Sequence, residues 1–171
     1  MIEPVEIDAG AEVVALLTAR GLTIAVAESL TGGLLVAELI RTPGASAVVN
    51  GGVVAYNTAL KHSVLGVDAD LLAARGAVDP TVAEQMAARV RSALAVNGRA
   101  ADIGISTTGV AGPEPQDGQP VGTVYLGFAV GTEVSHVALR LSGTRDGIRN
   151  AVVSESLVQL TRLLERETGR E

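Results

Sequence analysis

Ser29 stands in the turn Glu28-Ser29-Leu30-Thr31-Gly32-Gly33, between two short apolar runs. A hydroxyl at a strand-to-helix turn is a candidate nucleophile. The N–H groups that open the next helix lack intrahelical partners and can hold an oxyanion or a phosphate. The same placement also suits an ordinary helix cap by Ser29 or Thr31. Position 27 is Ala and position 31 is Thr, so the GxSxG elbow of the α/β-hydrolases is absent.

A serine nucleophile needs a base. The chain has 12 Arg but a single Lys, Lys61, and only two histidines, His62 and His136. A compact ammonium with its pKa lowered by burial or a nearby cation can serve as a base, whereas a guanidinium cannot. Lys61 is thus a candidate base, set against a plain solvated helix lysine. His62 is next to it and, on a helix, points about 100° away. His136 lies in the alternating run Val134–Leu139, where an outward side chain is expected. Ser29 and Lys61 are too far apart for a Ser-x-x-Lys pair, so only the fold can join them. With no cysteine, thiolate catalysis and thiolate zinc sites are ruled out, and the two isolated histidines form no HExxH. No metal and no cofactor are expected.

Two further segments carry polar chemistry. Thr107-Thr108-Gly109-Val110-Ala111-Gly112-Pro113 follows an apolar strand and leads into the polar loop Glu114–Pro120, long enough to cover a site. Ser142-Gly143-Thr144-Arg145 precedes the last helix and can hold a phosphate through N–H groups and Arg145, or merely cap that helix.

The elements that must position these residues read as follows. Asp8 to Arg20 is a helix capped by Asp8, and Thr23–Ala27 is a buried strand. Leu34–Ile40 is a helix apolar almost all round, hence expected to be buried. Ala47–Tyr56 is a second strand interrupted at Gly51-Gly52, and Asn57–Leu65 a short helix carrying Lys61. Asp79-Pro80 caps a helix with Val82, Met86, Val90 and Leu94 on one face, ending at Asn97-Gly98. Ala101–Ser106 is a third strand. Val121–Val130 and Val134–Leu141 are joined by so short a link that they must form an antiparallel hairpin. Thr144 or Asp146 caps a final helix with the stripe Val153, Leu157, Leu160 and Leu164. The alternation gives an α/β three-layer domain with a mixed sheet. In such sheets ligands bind beyond the carboxyl ends of parallel strands, where the turns 28–33 and 107–113 both fall.

The 171 residues are enough for one domain and a sizeable core. With two Tyr, one Phe and no Trp, that core must be built from Ala, Val, Leu and Ile. No run of 18 apolar residues occurs, which rules out a membrane span, and the acidic start predicts a cytoplasmic protein rather than an exported one. A net charge of −6 disfavours nucleic acid as a partner but leaves room for a small anionic ligand in one pocket. A homo-oligomer is expected, with a dimer favoured.

Ala27-Glu28-Ser29-Leu30-Thr31-Gly32-Gly33 resembles the AES-x-TGG signature of the CinA C-terminal domain family. Tyr56–Lys61, Thr108–Pro113, Pro120–Tyr125 and Gly143-Thr144-Arg145 resemble its other motifs in the same order. The likeness covers about residues 8 to 165 of a single domain spanning 1–171. The resemblance implies a three-layer α/β/α sandwich with a five-stranded mixed sheet and a metal-free serine–lysine hydrolytic mechanism. It further implies an activity found in the family, hydrolysis of nicotinamide mononucleotide to nicotinate mononucleotide and ammonia. On it, Ser29 matches the nucleophile, Lys61 the lysine and Tyr56 the tyrosine of the catalytic set. Glu28, Thr31, Gly32 and Gly33 of the first turn and Thr108, Gly109 and Gly112 of the second become substrate-binding candidates. Arg145 is the candidate for the phosphate, and Tyr56 or Glu28 for the cationic ring. Glu114-Pro115-Gln116-Asp117-Gly118 departs from the Gly-rich sequence that the family often has there. The 171 residues contain no counterpart of the molybdopterin-binding-like domain of full-length CinA proteins, so the stand-alone amidase form is the expectation. The competing expectation is a catalytically silent nucleotide-binding or assembly module on the same fold.

Overall fold

Five short apolar segments with few aromatics can bury both faces only in a sheet sandwiched between helices. The computed structural model describes residues 8–168 and has that form. Its strands are β1 (Ile24–Glu28), β2 (Val49–Val54), β3 (Ile103–Gly109), β4 (Thr123–Val130) and β5 (Glu133–Arg140), in the spatial order β2-β1-β3-β4-β5. β1 runs parallel to β2 and β3, whereas β4 and β5 add antiparallel. The sheet is therefore the mixed five-stranded one expected.

The helices are α1 (Ala9–Arg20), α2 (Leu34–Ile40), α3 (Thr58–Ser63), α4 (Ala69–Arg75), α5 (Pro80–Ala93) and α6 (Arg145–Thr168). Their ends follow local chemistry. Asp8 caps α1, accepting from Ala11 N at 3.1 Å, and Gly21 ends it at φ 64°. Asp79 caps α5 by accepting from the N–H groups of Thr81 and Val82. Of the two candidates for α6, Thr144 is the cap: its Oγ1 accepts from Gly147 N at 3.1 Å.

The two faces of the sheet are unlike. On one, Ile24, Val26, Ile103, Ile105, Leu126 and Phe128 pack against α1, α2 and the α6 stripe, in which Leu157, Leu160 and Leu164 are all buried. Each such burial contributes about 1.5–3 kcal/mol. On the other face the sheet presents Ala25, Ala27, Gly104, Ser106 and Gly127. A Cβ on Gly104 would stand 1.8 Å from the Ala87 carbonyl oxygen, and one on Gly127 2.1 Å from that of Ala83. The backbone of α5 thus lies directly on the strands, and Ser106 Oγ donates to the Ala83 carbonyl at 2.6 Å.

Two expectations need correction. α2 is not buried all round: Leu35 and Leu39 are buried but Ile40 is 58% exposed. A seven-residue helix against α1, α6 and the β2 edge has neighbours on one side only. The sequence reading also passed over α4, although Asp68 caps it by accepting from Asp70 N and Leu71 N.

Candidate active site

β1 and β3 are parallel neighbours, so their carboxyl ends deliver the two polar turns side by side. Ser29 N donates to the Thr107 carbonyl at 3.0 Å, carrying the ladder one residue past β1. The chain then reverses through Gly32 (φ 59°) and Gly33 (φ 101°), left-handed conformations that favour glycine. Gly32 N closes the turn on the Ser29 carbonyl at 3.1 Å.

β2 pairs on the other side of β1, and the ladder continues as Ala55 N donates to the Glu28 carbonyl at 2.9 Å. Asn57 then caps α3, accepting from Ala59 N at 2.9 Å. This path places Lys61 beneath Ser29. Its Nζ donates to Ser29 Oγ at 2.9 Å and to the Ala55 carbonyl at 2.7 Å. The lysine has no solvent exposure, and Ser29 is only 8% exposed. Burial lowers the Lys61 pKa from 10.5 to about 8, and the Asp117 carboxylate opposes that shift. An amine at this position loses its proton close to neutrality. Once neutral, it can accept the Ser29 hydroxyl proton across the same 2.9 Å.

Neither histidine competes for that role. His62 Nδ1 hydrogen-bonds the Val67 carbonyl at 2.7 Å, and His136, exposed on β5, meets Glu84 of α5 at 2.8 Å.

Ser29 opens into a cleft of about 310 Å³ lined by Leu30, Tyr56, the 109–116 segment and Arg145. That size lies at the lower end of small-molecule sites, about 300–1,000 Å³. A groove of about 790 Å³ runs between His62–Gly66, α5 and Val134, but neither Ser29 nor Lys61 lines it. Chemistry rather than volume therefore marks the candidate site. Arg145, at the start of α6, spans the cleft: one terminal nitrogen donates to the Gly112 carbonyl at 2.6 Å and the other to the Tyr56 hydroxyl at 3.1 Å. A guanidinium has five N–H donors, so several remain for an anionic ligand. Tyr56 is 59% exposed and lines the cleft, with its hydroxyl held by Arg145.

Five of the substrate-binding candidates sit elsewhere. Glu28 is fully buried and faces away: its Oε1 accepts from Leu35 N at 2.8 Å and its Oε2 from Val36 N at 3.2 Å. It neutralises the positive end of α2, so those N–H groups are not free to hold an oxyanion. It also takes the capping role considered for Ser29. Thr31 Oγ1 pairs with Thr107 Oγ1 at 2.8 Å, both buried. Thr108 is buried and donates to the Ala77 carbonyl at 2.7 Å. Gly32 and Gly33 shape the turn without lining the cleft, whereas Gly109 and Gly112 do line it.

With the α2 N-terminus occupied, the next N–H groups in the chain after Ser29 are those of Leu30, which lines the cleft, and Thr31, which is buried. They bond to no protein acceptor among the described residues. Sequence reasoning missed Arg149, one turn after Arg145. Its Nε donates to the Leu30 carbonyl at 2.9 Å and a terminal nitrogen to the Thr31 carbonyl at 3.4 Å, which pins the Ser29 turn onto α6. The available signal was the i, i+4 spacing of the two arginines at a helix start.

The family model for the CinA C-terminal domain matches residues 7–164. A CinA-like protein of Frankia casuarinae is 49% identical over 152 residues, which is 89% of this chain and 34% of that protein. A protein of Geobacillus kaustophilus named as competence-damage inducible is 54% identical over 131 residues, 76% of this chain and 30% of that one. The chain thus spans about a third of the length of the curated relatives it matches. Among solved structures, a CinA superfamily protein of Klebsiella pneumoniae superposes with a TM-score of 0.87 at 30% identity, covering 93% of this chain and 97% of the other. A competence/damage inducible protein of Agrobacterium tumefaciens gives a TM-score of 0.84 at 33% identity, with 95% and 98% covered.

Proposed function

We propose that this chain, which belongs to the CinA C-terminal domain family, is a serine–lysine amidohydrolase that converts nicotinamide mononucleotide to nicotinate mononucleotide and ammonia. The observation that carries the reading is the contact between Lys61 Nζ and Ser29 Oγ at 2.9 Å, with the lysine sealed from water. A surface lysine needs no such partner. A lysine buried against a hydroxyl is a base matched to a nucleophile.

The reaction divides into two transfers. Neutral Lys61 takes the Ser29 proton as Oγ adds to the carboxamide carbon. The Leu30 N–H, free of protein acceptors on a residue that lines the cleft, suits the oxyanion that forms. Collapse breaks the C–N bond, and the Lys61 ammonium returns its proton to the departing nitrogen, which leaves as ammonia. Lys61, neutral again, takes a proton from water as it attacks the acyl–Ser29 ester, and the carboxylate product is released with Ser29 protonated once more. Arg145 suits the phosphate, and the Tyr56 ring suits the cationic pyridinium.

The decisive experiment measures ammonia release from nicotinamide mononucleotide, nicotinamide and asparagine in parallel, for the wild type and Ser29→Ala. Release from the mononucleotide alone, lost in folded Ser29→Ala, is the expected outcome. No release from any amide would leave the binding-module reading in its place.

A further inference from the structure

The loop after Pro113 ends in a tight hairpin. Gln116 and Gln119 exchange backbone hydrogen bonds at 3.1 and 2.8 Å, and Asp117 (φ 50°) and Gly118 (φ 72°) supply the two positive φ values the turn requires. Asp117 reaches out of its own loop. Its Oδ2 accepts from Ala77 N at 3.0 Å. The carboxylate fills space left open by Gly76, where a Cβ would stand 2.7 Å from the Asp117 side chain. The carbonyl of the same Ala77 accepts from Thr108 Oγ1 of β3 at 2.7 Å. A continuous path of hydrogen bonds thus runs from β3 through Ala77 to the hairpin, one residue beyond the cleft wall formed by residues 113–116.

The carboxylate is also the charged side chain whose field acts on Lys61. Other titratable groups close to Ser29 or Lys61 in the chain have partners of their own. Glu28 is bonded to α2, His62 to the Val67 carbonyl, and Tyr56 accepts from Arg145. Ser29 and Ala55 offer neutral oxygens.

We propose that Asp117 is a positioning residue for the cleft into which Ser29 opens: it clamps the 113–120 loop, whose first residues wall that cleft, to the Gly76–Ala77 backbone. The negative field of the same side chain raises the proton affinity of Lys61. The catalytic consequence of this inference rests on the amidase reading. The charge and the clamp do not.

Because Lys61 is the sole lysine, [ε-13C]lysine labelling gives one resonance whose titration reports the base directly, without substrate. Asp117→Asn keeps an oxygen for Ala77 N–H and removes the charge; Asp117→Ala removes both. The Lys61 midpoint is expected to fall below the wild-type value in both variants. Amide exchange at Ala77 is expected to stay slow in Asp117→Asn and to accelerate about tenfold in Asp117→Ala. An unchanged midpoint in Asp117→Asn, or unchanged Ala77 exchange in Asp117→Ala, overturns the inference. The acid limb of kcat/KM for nicotinamide mononucleotide should track the resonance midpoint. Asp117→Ala alone should also raise KM. A protein that releases no ammonia refutes the amidase reading while leaving the titration and exchange results to decide this one.

Discussion

Lys61→Arg separates a base from a cation. Burial takes the Lys61 pKa from 10.5 to about 8. At pH 7 about one amine in ten is then neutral, against roughly one in 3,000 for an unperturbed lysine, a gain of about 300-fold in competent base. The sign follows from the chemistry: the neutral amine is the active form, so kcat/KM should rise with pH through about 8 and then level off. Arginine at position 61 retains the charge but accepts no proton in this range, and the rate should fall by about 10²–10⁴. Lys61→Ala should fail to a similar extent. The assay is ammonia release from nicotinamide mononucleotide across the pH range, on variants first shown to be folded by circular dichroism and cooperative denaturation. An arginine variant within several-fold of wild type, or a wild-type profile without an acid limb, would refute the base assignment.

Three other outcomes follow from the same contacts. Lys61 has a lower pKa folded than unfolded, so between about 8 and 10.5 the unfolded chain binds the extra proton and stability rises with pH. The rise is on the order of 3 kcal/mol, and urea denaturation should show it vanish in Lys61→Met. Glu28→Gln turns an amide N–H toward one of the α2 donors, Leu35 N or Val36 N, and should cost about 1–3 kcal/mol in the same measurement; unchanged stability with a raised KM would instead make Glu28 a substrate contact. Arg145→Lys keeps the charge but loses the fork between Gly112 and Tyr56, so KM for the mononucleotide should rise about tenfold while any hydrolysis of phosphate-free nicotinamide is unaffected. Equal losses on both substrates would argue against a phosphate role.

What the sequence revealed follows the range of its physical signals. The strands, the β4–β5 hairpin and the caps of α1 and α5 are local events, governed by runs of apolar residues and by side chains two or three positions from the N–H groups they accept. They were legible for that reason. Glu28 was misplaced because its partners, Leu35 and Val36, lie seven and eight residues on, across a turn whose course depends on two left-handed glycines. The exposure of Ile40 was hidden for a different reason: composition shows that α2 is apolar but not how little of it the neighbouring elements cover.

The pairing of Ser29 with Lys61, 32 residues away, shows how a fold supplies what spacing cannot. Ser29 directly follows β1 and Lys61 lies on α3, the helix that follows β2, and the two strands are parallel and adjacent. Parallel strands end on the same side of the sheet, so two polar segments remote in sequence must meet there. The low pKa follows from the same arrangement. A lysine entering beneath β1 meets the Ala55 carbonyl and a hydroxyl, neither of which carries charge to offset lost hydration. Glu28 is close in sequence, but it is spent on α2, where it balances the helix end instead of reinforcing the ammonium. The side chain expected, with Tyr56 as the alternative, to face the cationic ring therefore matters to the site by facing the other way. Were its carboxylate turned toward Lys61, it would add to the field of Asp117, favour the charged amine further and leave less neutral amine for the proposed proton transfer from Ser29.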